Sequence, residues 1–216
     1  MYLLRIVITL MLSLSLFADN SHIFDKNEAG VVIIATDDGV GTGAIITESG
    51  HVLTNWHVVK DLEEVEIVLS FRYEISEDFE DYILDAEIVK VDPVKDLALL
   101  KIKNVPTKLS KVRISRKVPN IGEEVHAIGH PSMEFWTYTK GYISQIRNDF
   151  DWKYADETEH RASVYQTQTP ISEGNSGGPL FNKYGNLIGI NTFGSTETHF
   201  QNYAVSVIDI IDFLSN

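Results

Sequence analysis

The chain of 216 residues carries 18 Lys and Arg against 31 Asp and Glu, a formal net charge of −13 at pH 7, and it has no cysteine. With 44% apolar and 23% charged residues it has the composition of a folded globular protein, which excludes long disordered or collagen-like segments. The missing thiols exclude disulfide scaffolds and Cys-ligated metal centres, and the acidic balance excludes a nucleic-acid binder, whose affinity rests on clustered Lys and Arg.

Residues 1–18 read as a secretory signal. Arg5 precedes an almost wholly apolar run over residues 6–17, and Ala18 ends it before Asp19-Asn20-Ser21. A short cationic start, an apolar stretch and a small residue at the cut make that pattern. The run is shorter than the ~20 residues of a spanning helix, and no later segment is apolar enough to cross a bilayer. Export follows, to the periplasm or beyond; an uncleaved N-terminal anchor is the alternative.

The rest of the chain reads as strands. Val31-Val32-Ile33-Ile34-Ala35-Thr36 is a β-branched run, residues 39–43 break it, and Gly43-Ala44-Ile45-Ile46-Thr47 resumes it. His51-Val52-Leu53-Thr54 follows a Glu-Ser-Gly turn. Further runs cover residues 65–69, 82–91, 97–102, 124–128, 137–145, 164–169, 187–192 and 202–207, punctuated by Gly, Pro, Asn and Asp. Many short strands at this spacing predict an all-β sandwich or barrel. Only residues 207–214 carry helical spacing, with Ile208, Ile211 and Leu214 on one side. A first half ends near Lys103, residues 104–119 form a cationic connector, and a second half begins near Asn120. The acidic stretches 74–81 and 149–159 read as solvated loops.

Three short motifs carry chemistry. They are Thr54-Asn55-Trp56-His57-Val58-Val59 at a strand end, Asp92-Pro93-Val94-Lys95-Asp96-Leu97 before an apolar strand, and Gly174-Asn175-Ser176-Gly177-Gly178-Pro179-Leu180. Taken singly, the His reads as a plain surface or packed residue and the Asp as a turn residue. Glycines around Ser176 let the backbone turn sharply and present bare N–H groups beside the hydroxyl, as acyl transfer requires. A Ser hydroxyl needs a base, and an imidazole oriented by a carboxylate supplies one.

With these motifs, Gly41-Thr42-Gly43-Ala44-Ile45-Ile46, Ala127-Ile128-Gly129-His130-Pro131, Lys140-Gly141-Tyr142-Ile143-Ser144 and Leu187-Ile188-Gly189-Ile190-Asn191-Thr192 occur in the order of the trypsin-like serine proteases. Residues 30–207 resemble that family, and most the bacterial high-temperature-requirement, or Deg-type, branch. The resemblance implies two six-stranded antiparallel β-barrels of chymotrypsin-like type with a short C-terminal helix. The first barrel would occupy residues 19–110 and the second 111–216. It implies an exported serine endopeptidase acting on polypeptides through an acyl-enzyme, in protein quality control. Ser176 would be the nucleophile, His57 the base and then acid, and Asp96 the residue orienting it. Gly174, Asn175 and Ser176 would form the oxyanion hole through the N–H groups of Gly174 and Ser176. The specificity pocket would be walled by Ile171, Asn191, Thr192, Phe193, Gly194 and the region of Asn202, with Pro170 or a neighbour at its base. No acid is expected there, so small or medium apolar P1 residues are favoured.

Two departures matter. Asn175 stands where the digestive members carry the Asp that pairs with a freed N-terminus, so no activation beyond signal removal is expected. Deg-type relatives add PDZ domains, and none is expected here, with Asn216 forty residues beyond Ser176. No cofactor, metal or nucleic-acid partner is expected, and the chain would act as a monomer or homotrimer. The Gly-x-Ser-x-Gly elbow of α/β-hydrolases is a poor match, because His199 precedes Asp209 and Asp212. His126 and His130 lack the Glu of a His-Glu-x-x-His metal site. The rival from another class is a catalytically quiet binding or chaperone module that keeps the protease fold.

Overall fold

The structure, a computed structural model, describes residues 21–216 apart from Asp38, Glu74, Ser76 and residues 195–200. The expected signal segment, residues 1–18, lies outside the described residues, as does His199. Among the described residues no helix is long and apolar enough to cross a membrane.

Six strands form the first barrel: β1 (Val31–Thr36), β2 (Gly39–Ile45), β3 (His51–Thr54), β4 (Glu64–Val68), β5 (Ile83–Asp92) and β6 (Leu97–Ile102). They close in the order β1-β2-β3-β6-β5-β4, every pairing antiparallel. Sequence pattern sets the faces. β4 reads Glu-Val-Glu-Ile-Val and buries Val65, Ile67 and Val68 while exposing Glu64 and Glu66, the two-residue alternation of a half-solvated strand. β1 is apolar over residues 31–35 and buries residues 31–34, Val32, Ile33 and Ile34 in the first barrel's core and Val31 in the cluster shared with the second barrel.

The second half contains β7 (Arg113–Ile114), β8 (Glu124–Gly129), β9 (Thr137–Lys153), β10 (Glu159–Thr167), β11 (Pro179–Asn182), β12 (Asn186–Gly194) and β13 (Asn202–Ser206). The run β11-β8-β9-β10-β13-β12 is joined end to end by a further β11–β12 pairing, and β7 pairs parallel on the outside of β12. The all-β, two-barrel expectation therefore holds, with β7 and β11 added to the strands read from sequence. The two barrels share apolar contact: Val31, Ala44, Leu53 and Leu97 of the first lie in one cluster with Ile128, Phe181 and Leu187 of the second.

Three expectations need correction. The acidic stretch 149–159 is not a solvated loop; β9 runs on to Lys153 and β10 begins at Glu159, so only five residues turn. Its charges alternate outward on a two-stranded ribbon, which a count of charges cannot distinguish from a loop. A helix not expected from sequence, α1 (Ser21–Asn27), buries Ile23 and Asn27, and at seven residues it is too short for periodicity to reveal. The closing helix, α2 (Val207–Ser215), forms as expected, but Val207, Ile210 and Phe213 are its buried residues while Ile208 and Ile211 face solvent. The buried stripe is shifted by one position. Ser206 caps this helix, its Oγ accepting from Asp209 N.

Candidate active site

The turn after β3 and the turn between β5 and β6 bring His57 and Asp96 together. Pro93 and Val94 lead the β5–β6 turn, and Asp92 Oδ1 accepts from Lys95 N at 3.0 Å. Asp96 then takes a left-handed backbone with φ of +55°, a region that Asp tolerates better than most residues. Asn55 Nδ2 donates to Asp96 O at 2.9 Å and fixes that conformation.

Asp96 is fully buried and its carboxylate is ringed by donors. Oδ1 accepts from His57 backbone N (3.0 Å), and His57 Nδ1 lies 3.0 Å from Oδ1 and 2.9 Å from Oδ2. Thr192 Oγ1 donates to Oδ2 at 2.5 Å, and the Tyr154 hydroxyl donates to the same oxygen at 3.0 Å. Burial alone would raise the Asp96 pKa. The hydrogen bond and charge of His57, with the Thr192 hydroxyl and the His57 amide, outweigh it and hold the carboxyl below the ordinary carboxylate range. An ionised Asp96 keeps the proton of the His57 ring on Nδ1 and leaves Nε2 as a lone pair.

Ser176 lies in the loop between β10 and β11. Among the described residues its hydroxyl makes one hydrogen bond, to Thr192 O at 3.3 Å, and none to His57. The loop is clamped from the first barrel: Thr42 N donates to Ser176 O at 2.9 Å and Thr42 Oγ1 donates to Gly174 O at 2.6 Å. Gly174 has φ of +94°, and a Cβ there would overlap the His130 carbonyl, so both backbone angle and space require glycine.

The peptide directions in this loop are fixed one by one. Glu173 O accepts from Ser132 N at 3.0 Å, and Asn175 O accepts from Gly178 N at 3.0 Å. In a trans peptide the N–H points opposite to the C=O. The amides of Gly174 and Ser176 therefore point away from those partners, and among the described residues neither donates to a protein acceptor. Asn175 N–H is spent on Ser172 O at 3.0 Å. Two free amides beside a Ser hydroxyl are what an oxyanion needs.

A pocket of about 260 Å³ opens beside Ser176, lined by Ile171, Ser172, Glu173, Thr192, Phe193, Gly194 and Asn202. Of the residues expected to wall it, Asn191 is elsewhere. It is fully buried, its backbone bonded to Gly177 and Gly178 and its amide to Pro179 O (3.4 Å). Pro170 is exposed and lies outside the pocket, where its carbonyl accepts from Thr139 Oγ1 (3.0 Å). Glu173 is the one acid among the described lining residues.

Sequence reasoning missed Tyr154 and the role of Thr42, and it placed Thr192 in the pocket wall without its bond to Asp96. Tyr154 sits inside the acidic stretch, where an aromatic residue among charges was the available signal. Among the described residues no group of three or more His, Asp or Glu is arranged to hold a metal ion. His126 bonds Tyr138 (2.7 Å), and His130 Nδ1 accepts from Trp136 N (3.0 Å).

The description "Trypsin-like peptidase domain" matches residues 41–190. Among curated proteins, a probable periplasmic serine endoprotease DegP-like of Pseudomonas putida is 40% identical over 155 residues, covering 71% of this chain and 29% of its own length. Serine endoprotease DegS of Escherichia coli is 35% identical over 154 residues, covering 71% of this chain and 39% of its own. The chain thus spans well under half the length of these relatives. Among solved structures, the active form of the Rv3671c protease of M. tuberculosis superposes with a TM-score of 0.76 at 22% identity, covering 89% of this chain and 82% of that one.

Proposed function

Because the chain belongs to the trypsin-like peptidase domain family, we propose that it is a Deg-type serine endopeptidase whose triad is His57, Asp96 and Ser176. The observation that carries this reading is the pair of buried Asp96 and half-buried His57 beside a glycine loop whose Gly174 and Ser176 amides meet no protein acceptor among the described residues.

Ser176 attacks the peptide carbonyl after its hydroxyl leaves Thr192 O for His57 Nε2. His57 takes the proton and later gives it to the leaving amine, while Asp96 stabilises the imidazolium. The oxyanion is met by Gly174 N–H and Ser176 N–H; Asn175 keeps its amide for Ser172 O and supports the loop. Thr192 carries two duties, its hydroxyl on Asp96 and its carbonyl at the rim of the P1 pocket. Ile171, Phe193 and Gly194 give that pocket an apolar wall and favour small or medium apolar P1 residues.

Relatives named as periplasmic serine endoproteases support export to a bacterial periplasm and cleavage of polypeptides there; a part in protein quality control is the proposed role. The test is cleavage of an unfolded protein such as labelled casein, followed by a peptide library. Cleavage by the wild type and none by Ser176→Ala supports the reading. Retained binding of the unfolded protein without cleavage supports instead the quiet binding module, whose motif is the Ser176 hydroxyl resting on Thr192 O rather than on His57.

A further inference from the structure

We propose that Tyr154 is a positioning residue of the triad, carried on the tip of the β9–β10 hairpin so that its hydroxyl sits against both Asp96 and His57. The proposal rests on the protease reading above.

The hydroxyl of Tyr154 donates to Asp96 Oδ2 at 3.0 Å and lies 3.1 Å from His57 Nδ1 and 2.8 Å from Thr192 Oγ1. Its ring packs on the His57 ring, centroids 4.8 Å apart. One phenol thus touches the base, the carboxylate and the threonine that links the carboxylate to the nucleophile. Burial and the charge of Asp96 push its pKa upward, so it stays a neutral donor.

The hairpin is fastened to the first barrel at three points on the β10 side of Tyr154. Arg161 N donates to Val94 O at 2.7 Å, and His160 Nδ1 lies 2.7 Å from Pro93 O. At the tip, Lys60 pairs with Asp156 at 2.7 Å. Pro93 and Val94 belong to the turn that carries Asp96, so the hairpin grips that turn and inserts the phenol beside it. The ionisable groups facing the phenol are Asp96 and His57 at its oxygen and His160 at its ring edge (5.0 Å), with Lys60 and Asp156 at the tip.

The physical role follows from the donors around Asp96. The Tyr154 oxygen takes up space beside Nδ1 and its hydrogen satisfies Oδ2, so the imidazole has one favourable orientation and one tautomer. Removing the hydroxyl leaves Asp96 less compensated, and its charge then stabilises the imidazolium more strongly.

The test is Tyr154→Phe, which keeps the ring and deletes one oxygen. The expected result is a kcat about tenfold lower with KM within about twofold, and an acid limb of the kcat/KM profile displaced to higher pH. The 15N resonances of the His57 ring are expected to shift as its orientation changes, with Asp96 keeping the proton on Nδ1. Ring resonances and an acid limb identical to wild type would overturn the proposal. The resonances are read whether or not the protein cleaves anything, so an inert wild type whose ring resonances still respond to Tyr154→Phe sinks the protease reading and leaves the positioning role standing. If the Phe variant is thermally weakened, Tyr154→Leu separates ring from hydroxyl. An acid limb shared by the two variants supports positioning, and one that tracks the thermal midpoint shows packing alone and overturns it.

Discussion

The two barrels are built from different materials. The core of the first is aliphatic, with Val32, Ile34, Ile45, Val52, Ile67, Leu69, Leu100 and Ile102 buried and Tyr82 its one buried aromatic among the described residues. The second carries a run of stacked rings: Phe150 on Tyr203 (5.4 Å), Tyr203 on Phe193 (4.5 Å), Phe193 on Trp152 (5.0 Å) and Trp152 on His160 (5.3 Å). Tyr154 meets His160 at 5.0 Å and His57 at 4.8 Å, so this run ends on the base. On the proposed reading the first barrel contributes base and carboxylate from turns between strands, and the second contributes the nucleophile from a glycine loop and reaches back with a long hairpin. The difference is one of completion: the first barrel's buried charge sits in a turn and takes the donors of Thr192 and Tyr154 from the second.

The largest effect should come from the first barrel's charge. Asp96→Asn cannot accept from four donors, and its amide presents hydrogens to hydroxyls already donating. We expect kcat to fall about 10⁴-fold, measured with a peptide substrate, while the fold survives by circular dichroism. Next comes the second barrel's loop. Gly174→Ala forces a Cβ into the His130 carbonyl at positive φ and displaces the peptide that carries an oxyanion donor. A kcat loss of roughly 10²–10³ is expected, with KM little changed.

Acid should separate the barrels. The His130 imidazole, buried beside Phe135 and Trp136, is pushed down from the ordinary 6.5 to about 4 by desolvation. His126, on β8 just before it, is lowered too, again chiefly by desolvation. The unfolded chain therefore binds protons at a higher pH than the folded one. Stability is complete above about 6.5 and is lost as pH falls toward 4, by up to roughly 3 kcal/mol for His130. Asp96 is held low instead, so its contribution is present above the ordinary carboxylate range and lost only below it. Thermal midpoints against pH should fall through the histidine window first, and His130→Phe should flatten that window. The smallest effect is at the hairpin tip. Lys60→Ala breaks a solvent-screened ion pair with Asp156 and should leave the thermal midpoint nearly unchanged at physiological salt.

The residues of the proposed triad were legible because each sits in a short local pattern: a strand end, an Asp-Pro turn, a glycine-flanked Ser. Strands were legible because β-branched runs alternate with turn residues. β7, at two residues, was too short to carry a pattern, and β11 opens on Pro179 directly after the glycine loop, where the sequence reads as a turn. Tyr154 was hidden because its partners Asp96 and Thr192 lie 58 and 38 residues away and only the folded hairpin brings them together. The position of Asn191 was hidden because its backbone pairs with Gly177 and Gly178 and its amide with Pro179 O, contacts that only the folded glycine loop makes.

The most direct test of the central claim is covalent. A fluorophosphonate should label the wild-type protein at one residue, and peptide mapping should place the adduct on Ser176, with Ser176→Ala unlabelled and Asp96→Asn labelled far more slowly. Labelling at another serine, or none in a folded wild type that still binds unfolded protein, would contradict it.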